Sequence, residues 1–132
     1  MANDTAKQLR NPLQKARGLG SAKHGAEHWW GQRLTSLALI PLTLWFVLGV
    51  IGHLGADHAA FQAWMRSPVT AAMMILTVAV TFHHAASGMQ VVYEDYLHVE
   101  WQKLAADIVT KFLCYGLAAA CIVSVLKLSF GA

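Results

Sequence analysis

Between Thr81 and Glu100 the sequence runs TFHHAASGMQVVYEDYLHVE, so that histidines sit inside an apolar stretch and acids and tyrosines gather at its exit. Ionisable side chains inside apolar sequence of this kind need a partner or a task. On a helix, His84 and Asp95 are about three turns apart, lie on nearly the same side and are separated by ~16 Å along the axis. Gly88 follows His84 by one turn on the same stripe, and the missing side chain leaves room for a flat, bulky group to approach the helix beside His84. A single neutral imidazole is a good axial ligand for haem iron, the opposite ligand coming from another helix or subunit. A zinc site confined to this helix is disfavoured, because the positions one turn from His84 are Val80, Thr81, Ser87 and Gly88, and His83 points ~100° away. The plain alternative is that His84 hydrogen-bonds to a neighbouring helix. For His83, His53 and His58 that alternative is stronger still.

Asp95 and Tyr96 fall where the apolar run ends. A phenol there can donate to a carbonyl oxygen, and a carboxylate can hold that geometry or relay a proton. A quinone head group suits such an edge. Tyrosine is also enriched at membrane surfaces, so an ordinary interfacial role explains the pair on spacing alone.

These side chains must be positioned by membrane helices. The 132 residues are 56% hydrophobic and 13% charged, with a mean hydropathy of +0.43, far from the average of water-soluble domains. The apolar residues collect in three blocks, about Leu34 to Leu54, Thr70 to Val92 and Ile108 to Phe130, each near the ~20 residues that span the hydrocarbon of a bilayer. Backbone groups in lipid satisfy themselves as helices, so the expected fold is all-α with three transmembrane helices. Pro41 inside the first block is tolerated in such a helix and produces a kink at most. The expected division is a basic arm over residues 1–30 followed by a three-helix anchor over 31–132.

Lys7, Arg10, Lys15, Arg17, Lys23 and Arg33 precede the first block, whereas the loop around residues 55–69 carries only Arg66. Basic flanks stay on the cytoplasmic side, which puts the N-terminus inside, the Asp95 end of the second helix inside and the C-terminus on the far side. Trp29, Trp30 and Trp101 then fall in the inner aromatic belt. The first apolar run is too long for a signal peptide. Gly18, Gly20 and Gly25 do not make a dinucleotide loop, since Lys23 occupies the last glycine position and no strand precedes it. The net charge of +3 is concentrated in the arm, which suits anionic lipid or a soluble partner and not nucleic acid. Cys114 and Cys121 stand ~10 Å apart along one helix, too far for a disulfide, and read as small packing residues. Gly116 and Ala120 form a small-xxx-small pair suited to close helix contact.

The run His84-Ala-Ala-Ser-Gly88-Met-Gln-Val-Val-Tyr-Glu-Asp95-Tyr96 resembles the haem and quinone motif of the succinate dehydrogenase hydrophobic membrane anchor, a component of respiratory complex II. The opening of the first helix, His-Trp-Trp-Gly-Gln-Arg33-Leu-Thr, is similar to bacterial members. The resemblance implies that His84 is an axial ligand of haem b, the other coming from the companion cytochrome b anchor protein. It implies that Tyr96 hydrogen-bonds the ubiquinone carbonyl with Asp95 in support, and that Arg33 faces a haem propionate. An interfacial arginine reaching lipid phosphate has the same appearance in sequence. The resemblance further implies a flavoprotein subunit that oxidises succinate and an iron–sulfur subunit that passes electrons to quinone, linking the tricarboxylic acid cycle to the respiratory chain. The chain alone would have no activity. The expected location is the bacterial inner membrane, ahead of the mitochondrial one. A haem-free scaffold for soluble partners and a small cation or metal transporter using the seven histidines are the competing classes.

Overall fold

The computed structural model describes residues 25–131. The arm residues Lys7, Arg10, Lys15, Arg17 and Lys23, with Gly18 and Gly20, lie outside that range. Within it the chain is all-helical: α1 is Gly25–Gly52, α2 His58–Arg66, α3 Pro68–Tyr96 and α4 Glu100–Phe130. The expected helices are present but longer at the end that carries Trp29, Tyr96 and Trp101. There α1 starts at Gly25 instead of near Leu34, so residues 25–30 of the expected arm belong to the helix. Similarly, α3 continues to Tyr96 and α4 begins at Glu100. Hydropathy marks only the part of a helix that needs lipid. The 28, 29 and 31 residues of α1, α3 and α4 rise well beyond the ~20 needed to span, so their ends project past the hydrocarbon.

All three long helices have the length and hydropathy of membrane spans, and the protein is a multi-pass membrane protein. They carry apolar residues around most of their circumference, the pattern of helices that meet lipid or other protein on several sides. Helix α1 runs unbroken through Pro41. α3 is central, with α1 packed on one side and α4 on the other. Few side chains are buried within the chain, while Leu34, Leu37, Ile40, Phe112, Leu113 and many other large apolar residues are exposed. Such surface needs lipid or partner helices around it.

The amphipathic helix α2 has no counterpart in the hydropathy blocks. Its start is set by local chemistry: Asp57 caps it, accepting from the Ala60 N–H at 2.8 Å. α2 packs across the ends of α3 and α4, where Met65, Ala71 and Val125 form a small core with Trp64, Met74, Ile75 and Leu128 around it. Ser67 and Pro68 then turn the chain directly into α3, Pro68 taking a first-turn position where its missing N–H costs nothing. At the opposite end the short turn Leu97–Val99 reverses the chain into α4, which ends at Gly131 in the left-handed conformation, φ 74°.

Cys114 and Cys121 are both free thiols. Gly116 and Ala120 face outward, with no atom near the position a Gly116 Cβ would take, so the small-residue pair makes no contact within the chain. The reason is rotational: the α4 face turned to its neighbours carries Ala118 and Val125, which are buried instead.

Candidate functional site

His84 lies on α3 opposite the first turns of α1 and is partly buried between them. Both ring nitrogens meet α1. Thr35 Oγ1 is 2.9 Å from Nδ1, and Gln32 Nε2 is 3.4 Å from Nε2. The threonine hydroxyl has one proton, and the Gly31 carbonyl at 2.8 Å accepts it. We therefore assign Nδ1 as the protonated nitrogen, donating to Thr35 Oγ1, which leaves the lone pair on Nε2. That nitrogen has only the long, weak approach of the Gln32 amide, while Gln32 Oε1 is buried without a partner. An imidazole whose outer nitrogen is free and whose inner N–H is held by a fixed acceptor is the arrangement found behind metal-bound histidines. The residues present thus fit the axial-ligand role. They also realise the plain alternative, a histidine bonded to a neighbouring helix.

Gly88 leaves a gap beside His84, and within the chain the Gln32 amide occupies it. A Cβ on residue 88 would stand 3.1 Å from Gln32 Nε2. Next to this point an open cavity of about 740 Å³ lies between α1 and α3, and its walls include His28, Trp29, Gln32, Arg33, Gln90 and Glu94. His28 Nε2 is buried there without a hydrogen-bond partner. The Arg33 guanidinium lies over the Trp29 ring, 4.1 Å from its centroid, which fixes the charge at the cavity wall by a cation–π contact. Asp95 and Tyr96 stand at the end of α3, both exposed, Tyr96 at 77%. They share the His84 end of the molecule but touch neither His84 nor Arg33, because about three helical turns separate them from the histidine.

A second, smaller groove of about 280 Å³ opens between α3 and α4, walled by Gln90, Tyr93, Glu94, Glu100, Lys103 and Asp107. Lys111 donates to Asp107 Oδ2 at 2.8 Å and to Gln90 Oε1 at 3.0 Å, and Gln90 Nε2 donates to Glu94 Oε1 at 2.9 Å. Tyr93 Oη and Thr110 Oγ1 join the same two helices at 2.7 Å. His83 meets the Tyr115 hydroxyl at 3.2 Å on the outer side of α3 and α4, away from His84, and His53 stacks on Trp64 at the far end. Among the described residues no group of three or more His, Cys, Asp or Glu side chains converges, so the donor presented at His84 is a single imidazole.

The sequence reading missed Gln32, Thr35, Gln90, Glu94 and Lys111. Each is a polar residue within about three turns of a helix end, ordinary on its own, and only the helix register makes partners of them.

A bundle of long apolar helices with a histidine held between α1 and α3 beside a polar, open cavity defines a multi-pass membrane protein. The profile of the family described as Succinate dehydrogenase/Fumarate reductase transmembrane subunit matches residues 7–125, and the chain belongs to that family. It is similar to the succinate dehydrogenase hydrophobic membrane anchor subunit of Rickettsia bellii (strain RML369-C), 33% identical over 67% of this chain and 71% of that protein. The protein of the same name from Rickettsia conorii is 29% identical over 77% of this chain and 82% of its own length. That from Paracoccus denitrificans is 29% identical over 92% and 93%. No solved structure gives a significant match.

Proposed function

We propose that this chain is the hydrophobic membrane anchor subunit of a succinate dehydrogenase, that His84 is an axial ligand of haem b, and that the His84 end of the bundle forms part of the site where ubiquinone is reduced. The observation that carries the haem reading is the state of the His84 ring: Nδ1–H is held by Thr35 and Nε2 keeps its lone pair. Bound haem supplies a one-electron carrier beside the quinone site. This chain's residues do the positioning. Thr35 orients the imidazole, Gly88 leaves the helix surface open beside it, and Gln32 moves aside from Nε2. Arg33, held over Trp29, offers a cation to a propionate.

At the exit of α3, Tyr96 donates its hydroxyl to the quinone carbonyl and Asp95 supports that geometry from the preceding position. Their exposure is what a site completed by other subunits requires. The large uncovered apolar surface likewise supports a companion cytochrome b anchor that provides the opposite haem ligand. The basic N-terminal flank supports an orientation with the Tyr96 end in the cytoplasm, where an iron–sulfur protein and a flavoprotein dock, in the inner membrane of a bacterium.

A haem-free scaffold is the second reading, because the contacts to Thr35 and Gln32 also satisfy His84 as a helix–helix fastener. The reduced-minus-oxidised optical spectrum of the purified complex, with His84 or His84→Ala, separates the two. Loss or displacement of a b-type band in an assembled mutant complex supports ligation. An unchanged band moves the ligand elsewhere, and no band in the wild type leaves the scaffold.

A further inference from the structure

Glu94 stands in the wall of both cavities, the one between α1 and α3 and the groove between α3 and α4. We propose that Glu94 is the proton-transfer carboxylate of the quinone-reducing site, loaded from water through the α3–α4 groove and discharged into the α1–α3 cavity. The proposal rests on the quinone reading above and names a residue that reading does not use.

The carboxylate is held by a chain of contacts with a defined direction. Lys111 is a donor only, so its bond to Gln90 fixes the Gln90 oxygen toward α4 and the Gln90 NH₂ toward Glu94. Asp107 Oδ2 in turn fixes the ammonium, at 2.8 Å. Gln90, Lys111 and Asp107 are therefore positioning residues. An amide is a poor proton conductor, so the proton passes through Glu94 itself and through water, not along this chain. The groove side has the groups to order that water, with Glu100, Lys103 and a buried Asp107 Oδ1 that has no partner. The cavity side has His28 Nε2 and Gln32 Oε1, also buried and unpartnered, and the Arg33 cation. Polar atoms left in this state at one cavity are the mark of a site that expects a polar ligand or ordered water.

Reduction of a quinone to a quinol takes two electrons and two protons. The electrons come from the reduced iron–sulfur partner of the assembled complex. For each proton the Glu94 O–H bond breaks and an O–H bond forms at a quinone oxygen. The carboxylate then takes the next proton from water in the groove.

The test uses the whole purified complex and compares succinate-driven ubiquinone reduction with reduction of a soluble dye that accepts electrons before the membrane subunits. Glu94→Gln is expected to slow quinone reduction by about a hundredfold, the low side of what a positioned proton donor supplies. Dye reduction stays unchanged, and added formate, a small diffusible acid, restores the quinone rate. A wild-type quinone rate in Glu94→Gln overturns the proposal, and so does a loss that formate does not rescue, because the carboxylate is then structural. If Glu94→Gln does not assemble, Lys111→Met is compared with Lys111→Arg. Only the first is expected to slow quinone reduction, again with formate rescue, and equal rates in the two overturn the proposal. Tyr96→Phe run in parallel keeps the two readings apart. If it too leaves quinone reduction intact, the quinone reading has failed; if it alone is slow, only the role of Glu94 has.

Discussion

The hydroxyl of Thr35 on α1 accepts a hydrogen bond from His84 Nδ1 on α3 at 2.9 Å, and this contact decides which ring nitrogen keeps its lone pair. Two helices are thereby joined through the residue proposed to bind haem. Thr35→Val keeps the shape and removes the acceptor, so the Nδ1 proton is left unsatisfied and the ring is freer to rotate. Loss of such an outer contact lowers metal-group affinity by about 10–100-fold. The expected result is a complex that assembles but releases haem faster, followed by absorbance while an apo-globin competes for it. Thr35→Ser should retain haem.

Gly88 sets the second requirement, open space beside His84. Its Cβ position is 3.1 Å from the end of the flexible Gln32 side chain, which can move, so Gly88→Ala is expected to keep a normal b-type spectrum. Gly88→Leu fills the approach to the helix. Haem content per complex should fall severely in that variant, and equal occupancy in glycine and leucine forms would show that the group binds elsewhere.

The stripe of His84, Gly88 and Asp95 was legible because helix period alone relates those positions. The three spans were legible because lipid demands long apolar runs. What faces the stripe was not, since Gln32 and Thr35 come some fifty residues earlier and nothing in their local sequence sets the rotation of α1 against α3. The bounds of α1 were misjudged for a related reason. GAEHWWGQR is polar enough to lie outside lipid, yet it contains no proline, and Gly25 and Gly31 do not stop the helix, which continues beyond the apolar run. Helix α2 escaped notice because its nine residues are too few and too mixed for a hydropathy block, and its start is set by the Asp57 cap. Glu94 read as one more charge at a helix exit, and only its place in two cavity walls sets it apart.

Charge asymmetry predicts the orientation of the bundle. The residues before the first apolar block, Arg33 in the first turns of α1 included, carry six basic side chains against Arg66 alone in the connection that contains α2. Alkaline phosphatase, active only outside the cytoplasm, should therefore be active when fused after Ala132 and inactive when fused after His98. The reverse pattern would put Tyr96 on the side away from the proposed soluble partners and remove the basis for the quinone assignment.

At the far end of the molecule Gly49 has no room for a side chain. Its Cβ would lie 2.8 Å from Trp64 Cζ2, an approach that real side chains do not make. The indole has little freedom to retreat, because His53 stacks on it with ring centroids 4.3 Å apart and Phe61 packs against it edge-on at 5.7 Å. His53 is itself tied by Nδ1–H to the Gly49 carbonyl at 2.8 Å, so a shift of the indole disturbs the same turn of α1 that carries the new methyl group. Inserting one carbon into such a contact costs about 1–3 kcal/mol. Gly49→Ala should lower the thermal midpoint of the detergent-solubilised complex while leaving unchanged the b-type band proposed to arise at His84, at the other end of α1 and α3. Trp64→Leu, itself destabilising, removes the obstructing ring, so adding Gly49→Ala to it should cost little. A double-mutant cycle with no such compensation would mean that Gly49 matters for helix contacts with a partner protein and not for seating α2.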